Sequence, residues 1–352
     1  MEPVYLLCRR IVMRSRRSRQ ARRLGALARQ LRPRCVAAVE ESAAIGESAL
    51  AVDEVEMELE PEPEPPARKV RRVAAAALDE DERAAMAQTL IEAGAPVVLS
   101  GAAAHWPAAR LWTVEHLASR LGRRPVDVSL GVEETSAPTV KRTLEFEQLA
   151  RQICGRERAP GCTCQQQPYL KQADLFRLAP SLRDEIELEA LLAARRVCSR
   201  THYCWVGPAG AETGLHNDDE DNFLAQVRGR KRVLLFEPGE REHLYVNDKY
   251  DSGTECCDVD PSSPDLAAHP LFARARPPWS ATLSEGDVLL IPKFWYHHVT
   301  SLSPTISVNL FFSTAREFAA HGLVRHAREV LHAVGLLGRG NCVCCAAARA
   351  NT

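Results

Sequence analysis

His216-Asn-Asp218 is the one His-x-Asp in a chain of 352 residues and eleven histidines. In an extended segment residues i and i+2 point to the same face, so an imidazole and a carboxylate there already converge. A metal site of two histidines and one carboxylate needs one further imidazole from elsewhere. It leaves other coordination positions open for a cosubstrate and oxygen. The later stretch FWYHHVTSL supplies His297 and His298 as donors. The competing reading of each histidine alone is a hydrogen-bonded structural group; taken jointly with Asp218, the metal reading is the better one. Lys231 is a second chemical feature. With six Lys against 39 Arg, a lysine opening the apolar run KRVLLFEP is unusual. A partly buried ammonium there wants an anionic partner, which a dicarboxylic cosubstrate would provide. Its alternative is a strand-end lysine that reaches back to water.

The elements that must position these residues are short and β-rich. From about Cys198 the runs THYCWVGP, NFLAQVRG, KRVLLFEP, ATLSEGDVLLIP, WYHHVTSL and TISVNLFFS recur between Gly, Pro, Asp and Ser, the spacing of a sandwich or barrel. Ahead of them DEDERAAMAQTLIEAG, LWTVEHLASRLG and TLEFEQLARQIC read as helices and APVVLSGAAAHWP as a strand entering a turn. PSLRDEIELEALLAA is read as containing a fourth helix. After Ser313 a helical pattern returns, with Phe318, Leu323, Ala327, Leu331 and Val334 at helical spacing. The expected division is a leader over 1–75, a catalytic domain over 76–315, and a helix with a cysteine-bearing tail over 316–352.

The net charge of −1 hides an asymmetry, because residues 3 to 39 hold eleven Arg and no acid whereas DEVEMELEPEPE is almost wholly acidic. Neither stretch has a period that could cover a core, so both read as solvated arms. The twelve Cys form no disulfide framework. The apolar run Val4–Leu7 is too short for a signal peptide, which favours a reducing, intracellular compartment, cytoplasmic or nuclear. The Arg-rich start fits an organellar transit peptide and a nuclear signal equally well. No run approaches the length of a membrane span. Cys162/Cys164 and Cys342/Cys344/Cys345 lack zinc-site spacing and read as free thiols; Cys256/Cys257 maps to no chemistry.

HWPAARLW, PYLKQADLF, CWVGPAGAETGLHNDDEDNFLAQVRGRKRVLLFEP and GDVLLIPKFWYHHVTSLSPTISVNLFFS, in this order from about Val97 to Ser313, resemble the JmjC (cupin-like) oxygenases. The likeness is strongest to their small hydroxylase branch, which includes the asparaginyl hydroxylase of the hypoxia response and the arginyl and lysyl hydroxylases. The resemblance implies a mainly β fold, a double-stranded β-helix (jelly-roll) with flanking N-terminal helices and a C-terminal helical segment. It implies Fe(II), 2-oxoglutarate and O2, with release of succinate and CO2. His216, Asp218 and His297 match the metal ligands, with His298 as the fallback. Lys231, Thr213 and Tyr169 match residues holding the far carboxylate of 2-oxoglutarate. Asn222 and Asn309 match amides of that pocket, and Trp205 an aromatic wall.

A protein side chain, hydroxylated and left hydroxylated, is the substrate class the resemblance favours, since no chromatin-reader module is present. Asp219, Glu220 and Asp221 would form a negative rim favouring a basic peptide; solvated loop charges are the alternative. The rival functions are a tRNA-modifying oxygenase, served electrostatically by the Arg-rich arm, a histone lysine demethylase, and a non-catalytic cupin-fold binding module. A homodimer paired through the C-terminal helix is expected, packing of that helix on its own domain being the alternative. No membrane partner is expected.

Overall fold

The structure, a computed structural model, describes residues 67–155, 168–193, 195–343 and 348–349. The arms expected within the first 66 residues, and Cys162, Cys164, Cys344 and Cys345, lie outside the described residues. The chain enters through two short strands, β1 (Arg68–Lys69) and β2 (Arg71–Ala74). These residues, assigned to the leader by sequence, pair in the two sheets of the domain, beside Trp279–Ser280 and Val97–Ser100. Their charged texture hid them, since both are edge strands with few buried side chains.

Helix α1 (Glu80–Ala93) starts at a reciprocal Asp79–Glu82 capping box and stops at Gly94, whose φ of 64° suits glycine. Then come β3 (Val97–Ser100), α2 (Pro107–Leu111), α3 (Val114–Leu121), β4 (Pro125–Leu130), β5 (Val140–Glu145), α4 (Phe146–Ile153), β6 (Pro168–Ala173) and α5 (Leu175–Leu178). The segment read as a fourth helix instead forms two 3-10 turns, Pro180–Glu185 and Leu188–Leu192. Ile186 and Leu188 are both buried, and a straight helix would send them to opposite sides. The chain breaks at Ile186, which is extended.

Eight strands make the double-stranded β-helix: β7 (Ser199–Gly207), β8 (Glu212–Asp218), β9 (Asp221–Arg228), β10 (Lys231–Phe236), and, after β11 (Thr254–Cys256), β12 (Trp279–Leu283), β13 (Val288–Ile291), β14 (Tyr296–Ser301) and β15 (Thr305–Ser313). They are shared between two sheets. One runs β1-β12-β10-β14-β8-β11; the other contains β6-β7-β15-β9-β13-β3-β2, extended past β6 by β4, β5 and β16 (Ala348–Arg349). All nine residues of β15 are buried, because both faces are covered. Ile306, Val308, Leu310 and Phe312 pack outward with Trp112, Leu117 and Leu149 of the helical layer. The alternate positions, Asn309 and Phe311 among them, face the inside of the roll and line its cavity. A second apolar cluster, including Val98, Leu224, Val233, Leu289 and Val299, fills that interior. Each fully buried aliphatic side chain contributes on the order of 2 kcal/mol.

Beyond Ser313 a short turn over Ala315–Glu317 and a wide π-type turn over Phe318–Gly322 lead into α6 (Leu323–Ala333). No helix among the described residues is long and apolar enough to cross a membrane.

Candidate metal centre

Strand alternation decides which histidines meet. On β14, His297 and Val299 point into the roll, whereas Tyr296 packs outward with Leu215 and Phe236. His298 shares that outer side, its Nε2 lying 3.7 Å from Asp260. The fallback ligand is thus turned away from the centre, and His297 stands opposite His216 in the strand register. His216 Nε2 is 4.0 Å and His297 Nε2 is 3.6 Å from Asp218 Oδ2. Ligand atoms of all three residues lie within 4.8 Å of one another, a group able to hold a metal ion.

The second atoms of these groups are committed elsewhere. His216 Nδ1 donates to the Gly214 carbonyl at 2.7 Å and His297 Nδ1 to the Trp295 carbonyl at 3.0 Å. Both Nε2 lone pairs are thereby left facing Asp218. Burial pushes both imidazoles towards the neutral, metal-binding form: His297 falls to about 4, with His216 adding to the effect. His216 falls too, against the opposing pull of Glu134 and the Gly214 carbonyl. Asp218 Oδ1 accepts from Thr254 Oγ1 at 3.1 Å, while Oδ2 is buried with no hydrogen-bond partner. A buried oxygen left so costs about 1–3 kcal/mol, more when charged; a bound divalent cation removes the cost. Two nitrogens and one carboxylate in this array fit iron(II).

Lys231 opens β10 beside this centre, with 1% of its surface exposed. Its Nζ donates to the Tyr169 hydroxyl at 3.1 Å and stands 6.0 Å from the centre of the Trp205 ring. Burial first, then the charge of Lys171, push the ammonium down to about 7. No carboxylate pairs with it among the described residues. A cavity wall holding an unmatched cation fits a carboxylate of a cosubstrate. Trp205 Nε1 donates to Asn309 Oδ1 at 2.8 Å, and Asn309 Nδ2 to Asn222 Oδ1 at 3.1 Å, so these three side chains form one polar chain on that wall. Thr213 lines the same cavity. Between the His216↔His297 and Thr213↔Val299 pairs, β8 carries one residue more than β14. That bulge turns both Thr213 and His216 inward, where plain alternation would separate them.

Other cavity residues were not singled out from sequence. Glu134 binds Lys171 Nζ through both oxygens at 3.2 Å and accepts from the Gly214 N–H at 2.8 Å. Burial alone would raise its pKa, but Lys171, His216 and the backbone N–H groups together hold it down to about 2. Gly214 allows the approach, because a Cβ there would come within 2.6 Å of Val132 and 3.0 Å of Glu134. Asp251, also on the wall, is pushed up to about 7 by burial, with Asp218 and Glu134 adding repulsion. Lys171 carried the same signal as Lys231, a rare lysine two residues past Tyr169 on one strand. The Cys256–Cys257 pair is buried, and burial keeps both thiols protonated.

The rim expected from Asp219, Glu220 and Asp221 is not free. Arg325 pairs with Asp219 and Glu220, and Lys293 with Asp221. A loop this close to a buried centre neutralises its acids from neighbouring elements rather than leaving them in water.

The chain matches the family described as cupin-like domain over residues 83–318. It is 34% identical over 223 residues to Lysine-specific demethylase 8 of Xenopus tropicalis, covering 62% of this chain and 48% of that protein. Identity is 28% over 225 residues to Jumonji C domain-containing protein 5 of Drosophila melanogaster, covering 63% and 55%. It is 29% over 231 residues to tRNA wybutosine-synthesizing protein 5 of Homo sapiens, covering 62% and 70%. The match thus spans about half the length of the first two relatives. A double-stranded β-helix with an inward His-Asp-His centre defines a cupin-type metalloprotein. The chain belongs to the cupin-like JmjC family of iron(II)- and 2-oxoglutarate-dependent oxygenases.

Proposed function

We propose that this protein hydroxylates a side chain of a protein substrate, using His216, Asp218 and His297 to hold iron(II) and Lys231, Tyr169 and Thr213 to hold the far carboxylate of 2-oxoglutarate. The observation that carries the metal and cosubstrate part of this reading is the paired deficit in one cavity: a buried carboxylate oxygen on Asp218 lacking a donor, and a buried ammonium on Lys231 lacking an anion. Iron(II) with 2-oxoglutarate and O2 supplies the oxidation of an unreactive C–H bond. The chain's own residues orient the ligands through the Gly214 and Trp295 carbonyls, fix the cosubstrate by charge, and keep water from the apolar floor of Leu224, Ile291 and Val299.

The substrate end of the cavity supports a protein rather than a nucleic acid. Asp251 forms no ion pair among the described residues, and Phe311 on the cavity wall meets Tyr203 edge-on at 6.3 Å. Burial and the charges of Asp174, Glu220, Asp251 and Glu329 push the Tyr203 phenol up to about 12. Acids outnumber bases along the cavity lining, Glu133, Glu134, Asp218 and Asp251 against Lys171 and Lys231, a balance that disfavours phosphates and suits a neutral or basic side chain. Mass spectrometry of cellular proteins, with and without active enzyme, tests the reading. A stable gain of one oxygen on a side chain is the expected result. Formaldehyde release from trimethyl-lysine peptides, or a modified tRNA nucleoside in place of a modified protein, would sink it. The buried free thiols of Cys204, Cys256 and Cys257 fit action in a reducing compartment inside the cell.

A homodimer through α6 belongs to the same proposal. The helix turns Arg325, Glu329 and His332 towards its own domain. It leaves Leu323 59%, Val324 61% and Val334 65% exposed. An apolar stripe facing solvent on a docked helix fits a second copy. Light scattering should give a two-chain mass for the full chain and a one-chain mass for Val324→Glu/Leu331→Glu. Equal masses would remove the dimer.

A further inference from the structure

We infer that Arg325 is a positioning residue for the metal centre, joining the turn that follows Asp218 to the loop that hydrogen-bonds its carboxylate. The inference rests on reading His216, Asp218 and His297 as the metal centre. Arg325 Nη1 lies 2.6 Å from Asp219 Oδ1 and 2.9 Å from Glu220 Oε2, with all three side chains largely shielded from water. Asp219 and Glu220 directly follow the ligand. The Asp219 N–H donates to the Gly253 carbonyl at 2.8 Å. At Gly253, φ is +74°, and a Cβ would come within 2.5 Å of Asp219 Oδ1 and 2.9 Å of Arg325 Cδ. Three segments of chain therefore meet there with no room for a side chain.

The next residue, Thr254, is the one that donates to Asp218 Oδ1. That hydrogen bond determines which oxygen of Asp218 is left for the metal. The loop carrying Thr254 is gripped by the same face of α6 that bears Arg325. Glu329 accepts from Ser252 Oγ, and His332 stacks on Tyr250 with ring centres 4.2 Å apart. Arg325, Glu329 and His332 are spaced i, i+4 and i+7, one side of a helix. Arg325 alone among them also reaches the turn after Asp218. Both carboxylates are met by the one Nη1, at the end of a side chain longer than that of lysine.

Charge and geometry predict opposite signs for its removal. As a positive charge near a cation site, Arg325 should weaken metal binding, and its loss should tighten it. As the part that orients Asp218, its loss should loosen binding. The probe is Mn(II) alone, titrated into the full chain and read from the electron paramagnetic resonance of the unbound ion. Thermal midpoints of the metal-free proteins are measured alongside. Arg325→Ala is expected to raise the Mn(II) Kd about tenfold or more, the effect of losing a residue that orients a ligand. Arg325→Lys, which keeps the charge on a shorter side chain, is expected to fall between it and the wild type. A Kd for Arg325→Ala that is unchanged or lower overturns the inference, even if the thermal midpoint drops. If the alanine variant does not fold, an unchanged Kd for Arg325→Lys overturns it in the same way. A wild-type chain that binds no Mn(II) removes the metal-centre reading itself, and this inference with it.

Discussion

Asp218→Ala should bring 2-oxoglutarate turnover down to background while leaving the metal-free protein as stable as the wild type, or more so. The two halves of that expectation have one cause. Burial pushes the Asp218 carboxyl up, although His297 and the Thr254 hydroxyl pull the other way. Its Oδ2 has no donor. Before metal binds, this carboxylate is a liability to the fold, and a methyl group removes it. In the proposed metal centre it would be the single anionic ligand, and two neutral imidazoles cannot replace its charge. Losing about 4 kcal/mol of metal-binding free energy already lowers affinity about a thousandfold. The checks are succinate formation, Mn(II) titration and thermal midpoint, on wild type and variant. Normal turnover by the variant would place the metal elsewhere in the chain.

Period-two patterning made much of this site legible, and its exceptions mark where legibility ended. Lys231 stood out as a rare lysine opening an apolar run and Asn309 came from resemblance to a family; the structure puts both on the cavity wall. Spacing alone left His297 and His298 as equals; the pairing of β14 with β10 and β8 separates them by face. Thr213 would have been placed on the wrong face by alternation, because the bulge in β8 is a property of two paired strands and has no signal in one. Its inclusion came from resemblance to a family. Strands β4 and β5 went unread: β4 alternates only over the few residues of PVDVSL, and β5, whose end is the TLE of TLEFEQLARQIC, has no buried position to set a period. The acidic rim was misjudged for a different reason. Arg325 is 106 positions from Asp219, and nothing local to DDED announces a partner at that distance.

Lys231→Ala should raise the 2-oxoglutarate concentration needed for half-maximal turnover by about 30- to 1,000-fold, and the Mn(II) Kd far less. The interaction removed is a charge-assisted pair between a buried ammonium and a carboxylate, worth about 2–4 kcal/mol where water is excluded. Neighbouring cations do not substitute for it. Lys171, the other lysine of the cavity, is already held by both oxygens of Glu134 at 3.2 Å. The proposed ligands His216, Asp218 and His297 are not hydrogen-bonded to Lys231, whose Nζ reaches Tyr169 instead. Lys231→Met, which fills the same space without charge, separates the electrostatic loss from any cavity left by alanine. Both variants should show the same shift in cosubstrate dependence. Their metal-free forms should melt no lower than the wild type, because a buried ammonium pushed down to about 7 is unfavourable until an anion joins it. An unchanged 2-oxoglutarate dependence in the methionine variant would mean that another group holds the far carboxylate, and that Lys231 is only a buried strand-end lysine.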